Sequence, residues 1–179
     1  MMELVRIPMD QPLPSSAPPA ERSRHYDRTL ERIHNMLDGV DDWVAAMATV
    51  VCELHHAFAY YHWTGFYRVI GPTRLAVGPY QGGHGCLFID FERGVCGAAA
   101  TTRQTQLVAD VHAFPGHIAC SSTTRSEIVV PILGPTGRLL AVLDVDSDAP
   151  AVFTTVDQVA LERLCADLGA RFQPAFTAG

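Results

Sequence analysis

Residues 126–147, SEIVVPILGPTGRLLAVLDVDS, hold two apolar runs on either side of Gly134-Pro135-Thr136-Gly137, a tetrapeptide of strong turn formers. The runs read as the strands of a hairpin, and their density of Val, Ile and Leu places that hairpin in a core. In the second run Asp144 and Asp146 alternate with Leu143 and Val145, so the carboxylates share one face of the strand and the aliphatic side chains the other. Upstream, WTGFYRVI (63–70) and RLAVGPY (74–80) flank Gly71-Pro72 and predict a second hairpin, and a further strand is expected through Cys86 to Ile89.

Helical spacing surrounds these strands. Tyr26, Leu30, Ile33 and Leu37 recur at helical period and stop at Asp38-Gly39, while Val44, Met47, Val51, Leu54 and Phe58 form a second stripe behind Asp41 as N-cap. GVCGAAATTR (94–103) predicts a short helix starting near Val95, with Cys96 in its first turn. The last helix is expected from Thr154, with Asp157 in a near capping box and Leu161, Leu164, Leu168 and Phe172 on one face. The order helix, helix, hairpin, strand, short helix, hairpin, helix predicts an α+β fold, an antiparallel sheet with its helices segregated to one side.

The 179 residues are 48% apolar and 18% charged, enough for one packed domain. Thirteen basic against nineteen acidic residues leave a net charge of −6 with no basic run, so nucleic acid is not an expected partner. No apolar stretch approaches the roughly 18 residues of a membrane helix, so no membrane is expected either. Residues 1–22 carry Pro8, Pro12, Pro14, Pro18 and Pro19 and read as a flexible tail, forming neither a helix nor a signal peptide; 23–179 read as a single domain. The lack of an export signal predicts a reducing, cytoplasmic setting, where five cysteines do not read as a paired framework.

Cys86, Cys96 and Cys120 crowd the middle of the chain together with His84, His112 and His117. A zinc site is one reading, opposed by the wide separation of the cysteines. Inert burial is a second, and it suits Cys52 and Cys165 inside their amphipathic helices. Redox chemistry is the third. Cys120 sits in a polar, loop-like stretch before Ser121-Ser122, Cys86 lies among glycines that permit movement, and Cys96 at a helix start would feel a dipole that lowers its thiol pKa. From the residues alone, the second and third readings stay open. Asp144 and Asp146, with Glu127 on the neighbouring strand, either cap a turn or form a site that binds an ammonium group or keeps one carboxyl protonated. Trp63 and Tyr67, on one strand face, are either core or an aromatic wall against sulfur.

Taken together, WTGFYRV, LAVGPYQGGHGC, RGVCGAA, DVHAFPGHIACSSTTRSEIVVPI and AVLDVDS, in this order, resemble the free methionine-(R)-sulfoxide reductases, a branch of the GAF fold, from about Tyr26 to Phe172. The resemblance implies a central antiparallel sheet of about six strands with the N- and C-terminal helices on one face. It implies Cys120 as nucleophile, Cys86 and Cys96 as resolving positions, Glu127, Asp144 and Asp146 as the acids that hold the free amino acid and its sulfoxide, and Trp63 and Tyr67 as the pocket wall. It further implies reduction of free L-methionine (R)-sulfoxide through a sulfenic acid and an intramolecular disulfide, regeneration by thioredoxin, no metal or organic cofactor, and a cytoplasmic homodimer. The alternative is a GAF-type sensor of a small ligand or redox signal without turnover. The end of the chain soon after its last helix, with no output domain, makes the enzyme the expectation.

Overall fold

The computed structural model describes residues 10–116 and 121–172. Helix α1 (Pro19–Met36) and helix α2 (Trp43–Ala57) come first, followed by strands β1 (Trp63–Val69), β2 (Arg74–Gln81) and β3 (Phe88–Asp90). Helix α3 (Gly94–Thr102), strand β4 (Gln106–Val108), strands β5 (Ser126–Leu133) and β6 (Leu139–Ser147) and helix α4 (Thr155–Arg171) complete the order. Among the described residues the strands form one six-stranded sheet in the order β3-β2-β1-β6-β5-β4, each neighbouring pair antiparallel. The two hairpins read from the sequence are β1–β2 and β5–β6, and the closing helix has its capping box at Thr154 and Asp157.

Strand alternation divides the core in two. Phe66, Ile128, Val130, Leu143 and Val145 point to one face and pack with Ile33, Leu54, Leu161 and Leu164 of α1, α2 and α4. Tyr67, Val129 and Val142 point to the other face and pack with Val95, Cys96 and Ala99 of α3. The N- and C-terminal helices therefore share one face as expected, but the expectation that all helices lie on one side fails for α3. Its Ala-rich, small-residue surface lets it cover the opposite face closely: a Cβ on Gly97 would meet the Asp90 carbonyl oxygen at 2.6 Å.

The N-terminal segment departs from the sequence reading as well. Of residues 1–22, 19–22 already belong to α1, because proline is compatible with the first helical position, where its missing N–H is not needed. Leu13 is buried; its N–H donates to the Ala57 carbonyl at 2.8 Å and its carbonyl accepts from Ala59 at 2.9 Å. The N-cap of α2 is Asp42, one residue later than expected, with its carboxylate accepting from the Ala45 N–H at 2.7 Å. Among the described residues no helix is long and apolar enough to cross a membrane.

Candidate active site

The α3-covered face of the sheet holds the polar anomaly of the fold. Register places Trp63, Asp146 and Glu127 side by side across β1, β6 and β5, and Gly65, Asp144 and Val129 in the next row. Tyr67 and Val142 follow one row further on, so the acids and the aromatic rings share one face by strand alternation alone. Glu127 and Asp144 are buried, and Cys96 presents its thiol from the first turn of α3 at 4.0 Å from Glu127 Oε1. These side chains line one cavity, together with Arg93 at the start of α3.

The aromatic wall depends on a missing side chain. A Cβ on Gly65 would lie 2.6 Å from Tyr80 Cβ and 2.8 Å from Trp63 Cζ3, so glycine lets the indole lie across β1. There it stacks between Tyr67, with centroids 5.7 Å apart, and Tyr80 at 5.4 Å, while its Nε1–H donates to the Gly83 carbonyl at 3.1 Å. Gly85 approaches the same rings: its Cβ would meet the Tyr67 hydroxyl at 2.9 Å. The glycines beside Cys86 thus serve close approach, a role the mobility reading overlooked. Tyr80, paired with Gly65 across the hairpin, backs the indole from its other side; sequence reasoning missed it because the bulge between Gly65 and Tyr67 shifts the register, so that plain alternation from the Tyr67–Val77 pair points to Pro79 instead.

The electrostatics follow from burial. Desolvation raises the Asp144 carboxyl to about 7, opposed by hydrogen bonding from Cys96 and Glu127. Burial, then repulsion from Asp144, pushes both Glu127 and Asp146 well above the usual carboxylate range. At neutral pH the cluster therefore keeps protons, and it can donate hydrogen bonds as well as attract a cation. Burial, then the neighbouring Asp144 and Glu127, likewise pushes the Cys96 thiol well up. This overturns the expectation that the α3 dipole lowers it, because a helix terminus contributes only about 0.3–1 kcal/mol against full desolvation beside two carboxyls.

The other cysteines separate by environment. Cys165 is a buried free thiol in α4, as the burial reading expected, Cys52 is a free thiol in α2 that is only half-buried, and Cys86 is disulfide-bonded. Cys86 follows Gly85 directly and packs against the α3-side core. Cys120, the expected nucleophile, lies outside the described residues, as does His117; Ser121 and Thr124, just after it, line the cavity.

Comparison with known proteins agrees with this geometry. The GAF domain family model matches residues 24–172. The chain is 39% identical over 144 residues to the free methionine-R-sulfoxide reductase of Saccharomyces cerevisiae, spanning 77% of this chain and 80% of that one. It is also 39% identical over 143 residues to GAF domain-containing protein A of Dictyostelium discoideum, across 80% and 89% of the two chains. The crystal structure of free methionine-R-sulfoxide reductase from Neisseria meningitidis, solved with its substrate, superposes with a TM-score of 0.83 at 40% identity, covering 95% of this chain and all of that one. With that agreement in fold, length and sequence, the chain belongs to the GAF domain family and, within it, to the free methionine-(R)-sulfoxide reductases.

Proposed function

We propose that this chain reduces free L-methionine (R)-sulfoxide to L-methionine. The observation that carries the proposal is the acid cluster of buried Glu127 and Asp144 with half-buried Asp146, on two adjacent rows of the sheet, set against a stacked Trp63–Tyr67 wall, with disulfide-bonded Cys86 next to Gly85 of the cavity lining. Each part has a task that a free amino acid sulfoxide needs. Carboxylates attract its ammonium group, the rings pack on its methyl and sulfur, and a carboxyl that holds its proton near neutral pH donates to the sulfoxide oxygen. A buried anionic pocket rejects a methionine whose nitrogen is tied up in a peptide bond, because the buried carboxyls would then lose their cationic partner.

In the mechanism the Cys120 thiolate attacks the sulfoxide sulfur while an acid, Asp146 or its neighbour Asp144, protonates the departing oxygen. The net transfer converts thiol and sulfoxide into sulfenic acid and methionine. The Cys86 thiol then condenses with the sulfenic acid, forming a disulfide and releasing water, and an external dithiol of the thioredoxin type returns both cysteines to thiols. The Cys86 disulfide, with Cys52, Cys96 and Cys165 free, supports Cys86 and Cys120 as the resolving pair within one chain. Passage of the disulfide to Cys96 has less support, since that thiol is buried against carboxyls that oppose its ionisation. These balanced steps require no metal or organic cofactor, and the cytoplasmic homodimer known for the family belongs to the same proposal.

A single-turnover reaction tests the pairing. Reduced protein given the R sulfoxide without external dithiol should yield about one methionine per chain and a Cys86–Cys120 cross-link in the peptide map, and neither in Cys120→Ser. Methionine formation that survives Cys120→Ser, or a cross-link to Cys96 at that stage, would contradict it.

A further inference from the structure

One oxygen of the acid cluster has no protein partner. Asp144 Oδ1 is buried without a hydrogen bond, although its residue is only 5% exposed, and it faces the cavity shared with Cys96 and Glu127. One ligand atom from each of Cys96, Glu127 and Asp144 lies within 4.8 Å of the other two. The Cys96 to Glu127 contact, at 4.0 Å, is too long to satisfy either group well. A buried orphan carboxylate oxygen costs on the order of 1–3 kcal/mol, so the arrangement favours any cation that reaches it.

We propose that this cavity is also a site for a divalent cation of the zinc class, held by Cys96 Sγ and one oxygen each of Glu127 and Asp144, with the fourth position open to water. Zn–S of about 2.3 Å and Zn–O of about 2.0 Å require ligand atoms about 3.5 Å apart, which the three side chains reach by a movement of rotamer scale. One sulfur with two oxygens selects a borderline metal such as zinc, cobalt or cadmium over magnesium or calcium, which take all-oxygen shells and several waters. The cavity encloses about 40 Å³, room for an ion and a water, since one water needs roughly 10–15 Å³. Where the pocket also receives the substrate ammonium, a step that rests on the reading above, cation and amino acid exclude each other. The metal is then an inhibitor and no part of the reaction.

The test titrates oxidised protein, in which Cys86 is closed in its disulfide, with Co²⁺ in a Cys52→Ser background that removes the half-buried free thiol of α2. The expected result is a thiolate-to-cobalt charge-transfer band saturating at one ion per chain, displaced by Zn²⁺ and unaffected by excess Mg²⁺. Cys96→Ser should abolish the band, and Glu127→Gln should weaken binding at least tenfold with the fold intact by circular dichroism. Absence of the band in the Cys52→Ser protein, or its persistence in Cys96→Ser, overturns the site. Free methionine should displace the cobalt. If it does not while the band still depends on Cys96, the cation site stands and the substrate reading is the one that fails.

Discussion

Asp144 turns burial into a measurable pH dependence. Its carboxyl is raised from 3.8 to about 7 by desolvation, so between those values the folded chain holds a proton that the unfolded chain has lost. The stability it permits is complete below the lower value and falls as pH rises through the upper one, by on the order of 4 kcal/mol across the window. Urea unfolding at about pH 5 and about pH 8 should show the fall, to which the raised Glu127 and Asp146 add, and Asp144→Asn should lessen it; an unchanged slope in the variant would exclude Asp144 as a source. Binding of an amino acid ammonium favours the ionised cluster, so free methionine should bind more tightly as pH rises through the same range. Gly65 gives a second residue-scale test. Gly65→Ala must displace Trp63 or Tyr80, whose atoms lie within 2.8 Å of the added methyl, and KM for the sulfoxide should rise on the order of tenfold with the fold retained.

At the scale of elements, local chemistry decided what could be read in advance. The α4 capping box was legible because Thr154 and Asp157 are three apart ahead of an apolar stripe, and the Asp157 carboxylate does accept from the Thr154 N–H at 2.7 Å. Thr154→Ala should cost about 1 kcal/mol in urea unfolding. The β5–β6 hairpin was equally legible, and its alternation also put Asp144 and Asp146 on one face before any coordinates. Strand β4 was missed: three residues, Gln106–Val108, at a sheet edge carry too little alternation to register. The side taken by α3 was missed because its residues are nearly all small, Gly, Ala, Cys and Thr, so no stripe of large apolar side chains indicates what it covers. Cys96 was misjudged for the same reason. A helix start is visible in sequence, but the two carboxyls that raise its thiol arrive from β5 and β6, some thirty or more residues away.

At the scale of the whole molecule, one buried ion pair ties the ends of the fold together. Arg22 of α1 donates to Asp157 of α4 at 2.6 Å, to the Val152 carbonyl at 3.0 Å and to the Ser15 carbonyl at 2.6 Å. Asp157 also accepts from Tyr26 at 2.8 Å and Tyr60 at 2.7 Å, so it joins α1, the α2–β1 connection and α4, while Arg22 adds the segment before α1. Removing one partner of such a pair leaves a buried charge, and Arg22→Ala should lose about 3 kcal/mol in urea unfolding, since the two tyrosines still serve the carboxylate. Specific activity of the folded fraction should stay unchanged, because the clamp lies on the face opposite α3. The pocket on that far face carries the central claim, and it is tested most directly by methionine formation from the separate R and S epimers of free methionine sulfoxide, with dithiothreitol as reductant. Turnover of the free R epimer, absent in Cys120→Ser and far below it for the S epimer and for peptide-bound sulfoxide, is the predicted result. No turnover of either epimer by folded, reduced protein, or equal repair of the peptide-bound form, would contradict the account.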